Sequence, residues 1–484
     1  MKDIIKNYVE EFNKNDIEYY KQDIDNAHAL EWMIENIPHL SCSDKELEKI
    51  YYFRWWTARK HIKSTSDGYI ITEFLPKVPW SGRHNSIVAP VGHHIAEFRW
   101  LRNGKAYLSD YIRFWLTEKG NTFDYTTWLI SSVYDFCEFE NDFSLAIDNY
   151  GLLINFYEKV KAERKTASGL FWSIDNTDAM EFSISGITPD FRVQKGLRTT
   201  LNSYMYANAL ALSKIAEMKG IKSDSVKYYN EAQKIKSLIN ELLWDGEFYK
   251  SIHSDNIVNE KSVNARESIS EEQNVKELAG FIPWSFGIPP QKYCKMFTDL
   301  KDKNRFNHKY GFTTADQTHK RYLYKHEHEC LWNGYIWPYA TSQTFNAIIK
   351  FNNEYKNGIL SKEDIFSMFK TYAGSHYRIC EDGKKVCWID EVKSPADNSW
   401  SSREILKNRG WQASMGGKER GKDYNHSTFA DILFRGILGI DIKNGKITVK
   451  PNAPDNFEFK LQNLWHDGKE YKITFDKKNG ASIL

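Results

Sequence analysis

Apolar residues recur at helical spacing through most of the chain. In residues 96–120 and 200–220 they fall three and four positions apart, as on one face of an amphipathic helix. The same spacing recurs in further segments, namely 223–244, 341–353, 361–377 and 427–440. The pattern predicts a largely helical protein.

The connections between these helices are alternately short and long. The long ones are rich in Trp, Gly, Pro, Asp and His, and they comprise 76–94, 121–128, 168–199, 305–340 and 386–426. A ring of helical hairpins with every second connection on one face produces this alternation. We therefore predict an all-α fold, an (α/α)6 barrel of helical hairpins over residues 1–440, whose long loops share one end.

The last part of the chain follows a different period. Between residues 446 and 475, apolar side chains alternate with polar ones, as in Ile447 and Val449 or Tyr471 and Ile473, and "HDGK" is a hairpin signal. This pattern predicts a short β-rich appendage, residues 441–484, packed on the barrel.

Composition narrows the class of protein. The 484 residues carry a formal charge of +2 without a dense basic run, so we expect no nucleic-acid partner. No segment reaches about 18 uninterrupted apolar residues, so we expect no membrane span. The six cysteines form no CxxC pair and the N-terminal segment is charged, which favours a reduced, cytoplasmic protein. The oligomeric state is left open.

Aromatic residues are unusually frequent, at 15% of the chain, with 16 Trp and 28 Tyr. A core uses part of them, and flat rings with polar groups also suit sugars. Residues predicted to bind a sugar are Arg83, Asn85, Tyr125, Trp128, Trp172, Asn176, Trp332, Trp337, Trp388 and His426.

The segment "FWSIDNTDAMEFSISG", residues 171–186, places three acids among aromatic side chains without any Lys or Arg. Asp175 and Asp178 are suited to cap a helix. With Glu181 they are also suited to bind a divalent metal. A third explanation is a catalytic acid, since a carboxyl group desolvated beside Trp172 keeps its proton to higher pH.

A general acid for glycoside cleavage needs a second carboxylate across the sugar. One candidate is Glu391 in "CWIDEVKSPADNSW", and the other is Glu419 in "GGKERGKDYNH". Basic residues surround Glu419, which predicts that it is paired and without catalytic function. In "HEHEC", His326, His328 and Cys330 suggest a metal site, but no second cluster completes four ligands, and we predict none.

Several of these segments resemble a clan of glycoside hydrolases that contains trehalase, processing α-glucosidase I and mannosylglycerate hydrolase. "LWNGYIWPYATSQT" is similar to its Trp-x-Gly-x-x-Trp-Pro loop, "SIDNTD" to its acid loop, and "DEVKSPADNSW" to its base loop. "ERGKDYNHSTFADILFRGILGI" resembles the closing segment of its mannosylglycerate-hydrolase-like members. The resemblance covers roughly residues 80–440. It implies that Asp175 is the general acid, that Glu391 is the general base, and that the anomeric configuration is inverted.

The predicted function is an exo-acting, inverting glycosidase that releases a terminal sugar from a small glycoside or oligosaccharide. An α-glucoside or α-mannoside is favoured, and no cofactor is expected. One alternative is an arabinofuranosidase on the same fold, in which Cys330 could bind zinc. Others are a phosphorylase, a non-catalytic sugar-binding protein, and a terpene-cyclase-like enzyme with Asp175 and Asp178 on Mg²⁺.

Overall fold

The computed structural model describes residues 1–261, 269–356 and 358–484. The chain divides into two compact units. The first unit comprises Met1–Asn121, Glu138–Asp142 and Ser361–Leu484, and the second comprises Thr122–Cys137 and Phe143–Leu360. The second unit is therefore almost continuous in sequence, whereas the first is assembled from both ends of the chain.

Helices dominate the first unit. They are Lys2–Lys14, Ala29–Asn36, Lys45–Ala58, Val91–Phe98, Gly104–Leu116, Lys362–Gly374, Ser401–Asn408 and Ala430–Ile432, the last continued by a π-helical turn, Leu433–Ile437. Side-chain caps set two of their starts. Asp44 accepts the Leu47 N–H at 3.0 Å, and Ser361 forms a capping box with Asp364.

The second unit is also largely helical. Its helices are Ser144–Asp148, Tyr150–Arg164, Thr199–Met218, Lys222–Leu238, Ile282–Ser285 and Pro338–Glu354, with a 3₁₀ segment at Gln291–Leu300 and a π-helical turn at Ile239–Leu243. One further helix, Leu129–Glu140, contains residues of both units. Helix Thr199–Met218 is followed by Gly220 at φ +76°, a left-handed position that glycine adopts without strain.

These helices confirm the prediction of a largely helical protein. The segment 96–120 is interrupted after Phe98 and resumes at Gly104, where the Asn103-Gly104 pair stands. The segment 427–440 was predicted as one helix, but it contains a short helix and a π-helical turn, and a strand begins at Ile440. The closed double ring of hairpins stays a prediction.

The C-terminal β-structure is confirmed. Strands Ile440–Lys443 and Lys446–Val449 form one antiparallel hairpin, and Phe459–His466, Lys469–Asp476 and Gly480–Ile483 form a second antiparallel sheet. The turn in "HDGK" places Asp467 and Gly468 at positive φ, as a tight hairpin turn requires. The sequence pattern had not indicated the fourth strand of this sheet, His39–Cys42, which pairs with Phe459–His466.

The remaining strands are short. In the first unit, Ile62–Thr65 pairs with Gly68–Ile71, and Tyr377–Ile379 pairs with Lys385–Cys387. In the second, Trp172–Ser173, Gly196–Leu197 and Ile252–His253 form a small antiparallel sheet, and Asn307–His308 pairs with Gly311–Phe312. Within the described ranges no helix has the length and apolar character to cross a membrane. None of the six cysteines, which all lie in the described ranges, forms a disulfide bond.

Candidate active site

Asp175 lies at the start of a single 3₁₀ turn in the second unit. The short strand Trp172–Ser173 leads into the turn, which spans Asn176–Asp178. The Asp175 side chain accepts the Asn176 N–H at 2.9 Å, so the capping explanation is correct for one carboxylate oxygen. The side chain is 0% exposed.

The second oxygen of this carboxyl group has a different environment. Asp175 Oδ2 is buried and has no hydrogen-bond partner among residues 1–261, 269–356 and 358–484. Burial raises the pKa of Asp175 to about 6, although Arg198 and the Asn176 N–H act in the opposite direction. The group therefore holds its proton in mildly acidic solution and can donate it.

Asp178, three residues later, is fully engaged. It accepts from Arg198 Nε at 2.6 Å, from Thr126 at 2.8 Å and from Ser173 at 3.2 Å, and also from Thr200. Arg198 is completely buried, so this ion pair anchors the loop rather than offering a free metal ligand. The Mg²⁺ hypothesis for Asp175 and Asp178 gains no support from these contacts.

The close packing around Asp175 depends on a glycine. A Cβ on Gly186 would lie 2.8 Å from Ser183 Oγ, 2.9 Å from Arg198 and 2.9 Å from the Asp175 Cβ. Sequence reasoning missed both Gly186 and Arg198. Arg198 immediately precedes helix Thr199–Met218. It is the second arginine after residues 171–186, and the first, Arg192, pairs with Asp255 at the surface.

Trp332 and Trp337 form a stacked pair in the same unit. Their ring centroids are 4.7 Å apart and the planes meet at 22°. The Trp337 indole donates to the Leu331 carbonyl at 2.8 Å, whereas the buried Trp332 Nε1 has no partner in the part of the chain that the structure describes. The Trp332 backbone N–H donates to the Glu181 carbonyl at 3.0 Å, which fixes this loop against the acid loop.

The other predicted sugar-binding residues of the second unit have varied surroundings. Trp172 is half-buried, with Lys195 4.0 Å and Arg164 5.2 Å from its ring. Trp128 is buried against Tyr204 at 4.8 Å. Tyr125 is half-buried and lines a cleft with Arg164, and Asn176 is exposed.

Glu391 belongs to the first unit and is held by an arginine. Arg420 Nε and Nη2 donate to its two carboxylate oxygens, each at 3.0 Å, and both side chains are buried. The bidentate pair fixes the plane of the carboxylate. Arg420 thus binds Glu391, whereas the sequence suggested it as a neighbour that neutralises Glu419. Glu419 pairs with Arg403 at 2.6 Å instead.

Asp390, next to Glu391, is a second buried acid that sequence reasoning missed. Burial raises its pKa to about 7, with Arg403 opposing the shift and Glu391 adding to it. The Trp388 indole donates to one of its oxygens at 3.3 Å and the Glu391 N–H to the other at 2.9 Å. A Cβ on Gly421 would lie 2.0 Å from Asp390 Oδ1, so only glycine fits there. The two consecutive acids in the sequence "WIDE" were the signal from which Asp390 could have been identified as a second candidate.

The remaining predicted residues of the first unit mostly have protein partners. Asn85 accepts from Val78 and Ser81 and donates to two carbonyl groups, so its amide cross-links its own loop rather than presenting free donors to a sugar. Arg83 is exposed and pairs with Asp67 at 2.7 Å. The Trp388 ring is buried with Arg378 3.9 Å from its centroid.

His426 is buried, with Nε2 3.4 Å from Glu73 Oε1. Burial holds the pKa of His426 well below its usual range, and the neighbouring His93 and His94 lower it further. The imidazole is therefore neutral, and it belongs to a buried polar group around Glu73. A contact between His426 and a sugar stays a prediction.

Comparison with known proteins identifies the relatives of this chain. The family model described as "Mannosylglycerate hydrolase MGH1-like glycoside hydrolase domain" matches residues 83–427. A solved structure described as "Sialidase" superposes with a TM-score of 0.87 at 32% identity, covering 100% of this chain and 43% of that one. This chain therefore spans less than half of that protein. The search of curated proteins gave no match.

Two rhamnosidase structures are similar in fold alone. The α-L-rhamnosidase from Dictyoglumus thermophilum has a TM-score of 0.54 at 13% identity, over 93% of this chain and 44% of its own. The GH78 family rhamnosidase of Bacillus sp. GL1 has a TM-score of 0.53 at 10% identity, over 90% and 40% respectively.

Proposed function

The chain belongs to the mannosylglycerate hydrolase MGH1-like glycoside hydrolase family, and we propose that this glycosidase is exo-acting and inverting. In this proposal it removes a terminal sugar from a small glycoside or oligosaccharide, with an α-glucoside or α-mannoside favoured. The observation that carries the proposal is the buried Asp175 carboxyl group, whose Oδ2 has no partner in the described residues and whose pKa is about 6.

Asp175 is proposed as the general acid. As the glycosidic bond breaks, negative charge develops on the leaving oxygen, and a proton from Oδ2 neutralises it. The Asn176 N–H on Oδ1 fixes the orientation of the carboxyl group. The positive charge of Arg198 lowers the pKa of Asp175, which favours transfer of the proton to the leaving oxygen as negative charge develops there.

Glu391 is proposed as the general base. It would take a proton from the water that attacks the anomeric carbon from the face opposite the leaving group. Arg420 supports this role because its two hydrogen bonds hold the buried Glu391 side chain in one orientation. The stereochemical outcome then follows from direct displacement by water, without a covalent intermediate.

Fold and location complete the proposal. We place the chemistry on an (α/α)6 barrel with residues 441–484 as its β-rich appendage, in a cytoplasmic protein. The substrate panel should include aryl L-arabinofuranosides, because an arabinofuranosidase on the same fold is the alternative. The protein described as a sialidase is more than twice as long as this chain, so its name assigns no substrate here, but a sialoside belongs in the panel.

The stereochemistry of hydrolysis tests the mechanism directly. We expect the first-formed sugar to have the anomeric configuration opposite to that of the substrate, because water attacks in a single displacement. The measurement is proton NMR of the anomeric signal during the first minutes, before mutarotation. A product that keeps the configuration of the substrate would replace inversion with a covalent intermediate and would give Glu391 a nucleophile's role.

Trp332 provides a test of recognition. The Trp332→Phe variant keeps a ring stacked on Trp337 but removes the unpaired indole N–H. If that N–H donates to a substrate hydroxyl, kcat/KM should fall about tenfold, corresponding to roughly 1–1.5 kcal/mol for one hydrogen bond. Thermal unfolding measured in parallel should change little. A lower melting temperature with unchanged kcat/KM would assign Trp332 to the core alone.

A further inference from the structure

We propose that a cluster of aromatic and imidazole rings beside the acid loop binds the leaving group, and that this leaving group is itself a sugar. The cluster consists of Phe182, Phe191, Tyr324, His326 and His328, all in the second unit. The inference rests on the proposed function and adds to it a leaving-group site and a substrate class, a sugar–sugar glycoside. Nothing in the family assignment places a site at these rings.

The rings form a continuous set that is partly open to solvent. Phe182 lies 4.0 Å from the His326 ring and 4.8 Å from the His328 ring, centroid to centroid. Phe191 lies 5.2 Å from His326 and 5.6 Å from Tyr324. Phe191 is 44% exposed and the other four rings are half-buried. Such amphipathic ring faces stack on the C–H faces of sugars.

The backbone holds both phenylalanines in an unfavourable conformation. Phe182 has φ 58° and Phe191 has φ 63°, the left-handed region that bulky side chains rarely adopt. Strain of this kind persists where the surrounding structure enforces it and concentrates at functional sites. Here Tyr324 donates to the Phe182 carbonyl at 2.6 Å, and Arg321 donates to the Ile187 carbonyl at 2.7 Å. Side chains of a distant segment therefore hold the loop that carries Phe182 and Phe191.

The cluster also presents a hydrogen-bond donor. His326 Nδ1 accepts the His328 N–H at 3.0 Å, so the hydrogen of the neutral ring lies on Nε2. Burial lowers the pKa of His326, and His328 adds to the effect, which favours this neutral form. No residue in the described ranges accepts from Nε2. In this tautomer the Nε2 of His326 carries a hydrogen and has no lone pair for a metal.

Chemistry places this cluster on the leaving-group side. A general acid protonates the glycosidic oxygen, and the other substituent of that oxygen is the leaving group. Phe182 and Asp175 lie on one loop, and the Phe182 N–H lowers the pKa of Asp175. The charge of Asp175 also acts on the Tyr324 hydroxyl. The rings next to the acid therefore contact the leaving group. Because the cluster combines ring faces with an N–H donor, it fits a sugar better than a small alcohol.

Pairs of substrates with the same terminal sugar and different leaving groups separate the contribution of the leaving group to kcat/KM from that of the terminal sugar. The pairs are maltose with methyl α-D-glucopyranoside, and α-1,2-mannobiose with methyl α-D-mannopyranoside. Glycine adopts φ 63° without strain, so Phe191→Gly removes the ring and keeps the fold. We expect kcat/KM to fall about tenfold for the hydrolysed disaccharide and to stay within twofold for its methyl glycoside. Phe191→Tyr should restore the disaccharide rate, and Tyr229→Ala, at a 50% exposed ring outside the cluster, should change neither.

Binding without turnover keeps the two proposals distinguishable. Saturation-transfer NMR of Asp175→Asn with the same disaccharides should show contacts to the reducing-end ring, and the further Phe191→Gly change should remove them. If wild-type protein hydrolyses neither pair but this pattern is seen, the cluster stands as a binding site for the reducing-end sugar and the proposed reaction falls. An equal loss of rate on both members of a pair, or undiminished contacts in Phe191→Gly, would overturn the site while leaving the glycosidase proposal intact. Absence of both hydrolysis and contacts would overturn both.

Discussion

The Asp175→Asn enzyme is expected to lose about 10²–10⁴-fold of kcat on glycosides with unactivated leaving groups, which is the usual contribution of a general acid. Glycosides of acidic phenols need little protonation, so their hydrolysis should be largely spared. The measurement is kcat on a natural-type disaccharide and on a 2,4-dinitrophenyl glycoside of the same terminal sugar. Equal losses on both substrates would remove Asp175 from the acid role.

The pH profile gives a second signature of the same group. Activity requires the protonated form of Asp175, so kcat/KM should fall as pH rises through about 6, the pKa to which burial raises this group. The alkaline limb should be absent from the residual activity of Asp175→Asn. Because the folded-state pKa lies above the ordinary value of 3.8, the stability associated with the protonated form is present at low pH and lost as pH rises through about 6.

Asp178→Asn is the matched control for this variant. Asp178 is on the same turn and is equally buried, but it pairs with Arg198. Removing its charge leaves a buried arginine without its counter-ion, which typically costs about 3–5 kcal/mol of unfolding free energy. Asp178→Asn should therefore unfold at lower temperature, whereas Asp175→Asn should unfold no earlier than wild type above pH 6.

The Glu391→Gln enzyme is expected to lose about 10³-fold of kcat on both classes of substrate, because an activated leaving group does not replace the base that activates water. The amide oxygen of glutamine still accepts from Arg420, but the buried Arg420 loses its counter-ion, so Glu391→Gln should also unfold at lower temperature than wild type. Its kcat is therefore compared with that of wild type at a temperature where the thermal unfolding curves show both proteins folded. The matched control is Glu419→Gln, at a carboxylate held by Arg403, and it should retain activity.

Two outcomes would reassign the base. Full activity in Glu391→Gln together with loss in Glu419→Gln would move the role to Glu419. Full activity in Glu391→Gln together with loss in Asp390→Asn would move it to Asp390, which the structure buries next to Glu391. Each of these variants changes only one oxygen to nitrogen and keeps the shape of the side chain, and thermal unfolding measured in parallel separates a loss of folded protein from a loss of chemistry.

Local patterns in the sequence predicted the helices and the burial of Asp175. Helical periodicity is a property of neighbouring residues, and the apolar residues that indicated burial belong to the same short segment as Asp175. The C-terminal strands followed from alternation and a turn signal in the same way. What the sequence did not reveal depends on contacts between distant segments. Strand His39–Cys42 finds its partner more than 400 positions later, and Arg420 selects Glu391 rather than its neighbour Glu419.

Residue type also proved a limited guide to the role of polar and aromatic side chains. Asn85 is a compact amide suited to sugar hydroxyls, but backbone groups of its own loop and Ser81 use that amide. Trp388 was predicted to stack on a sugar, but the guanidinium groups of Arg378 and Arg403 lie over its ring. Whether a side chain has spare hydrogen-bonding capacity or an uncovered face depends on packing, which composition and spacing do not specify.

The strand pairing between His39–Cys42 and Phe459–His466 also sets an order of events during synthesis. Residues 143–360 emerge from the ribosome with nearly all of their unit present, so that unit can fold while the chain is still growing. The strand at residues 39–42 waits until the C-terminal sheet has been made. In the interval its N–H and C=O groups have no partner strand, and an unpaired edge of this kind invites pairing with other chains. Slow or interrupted translation after residue 360 therefore exposes nascent chains to aggregation through an N-terminal segment.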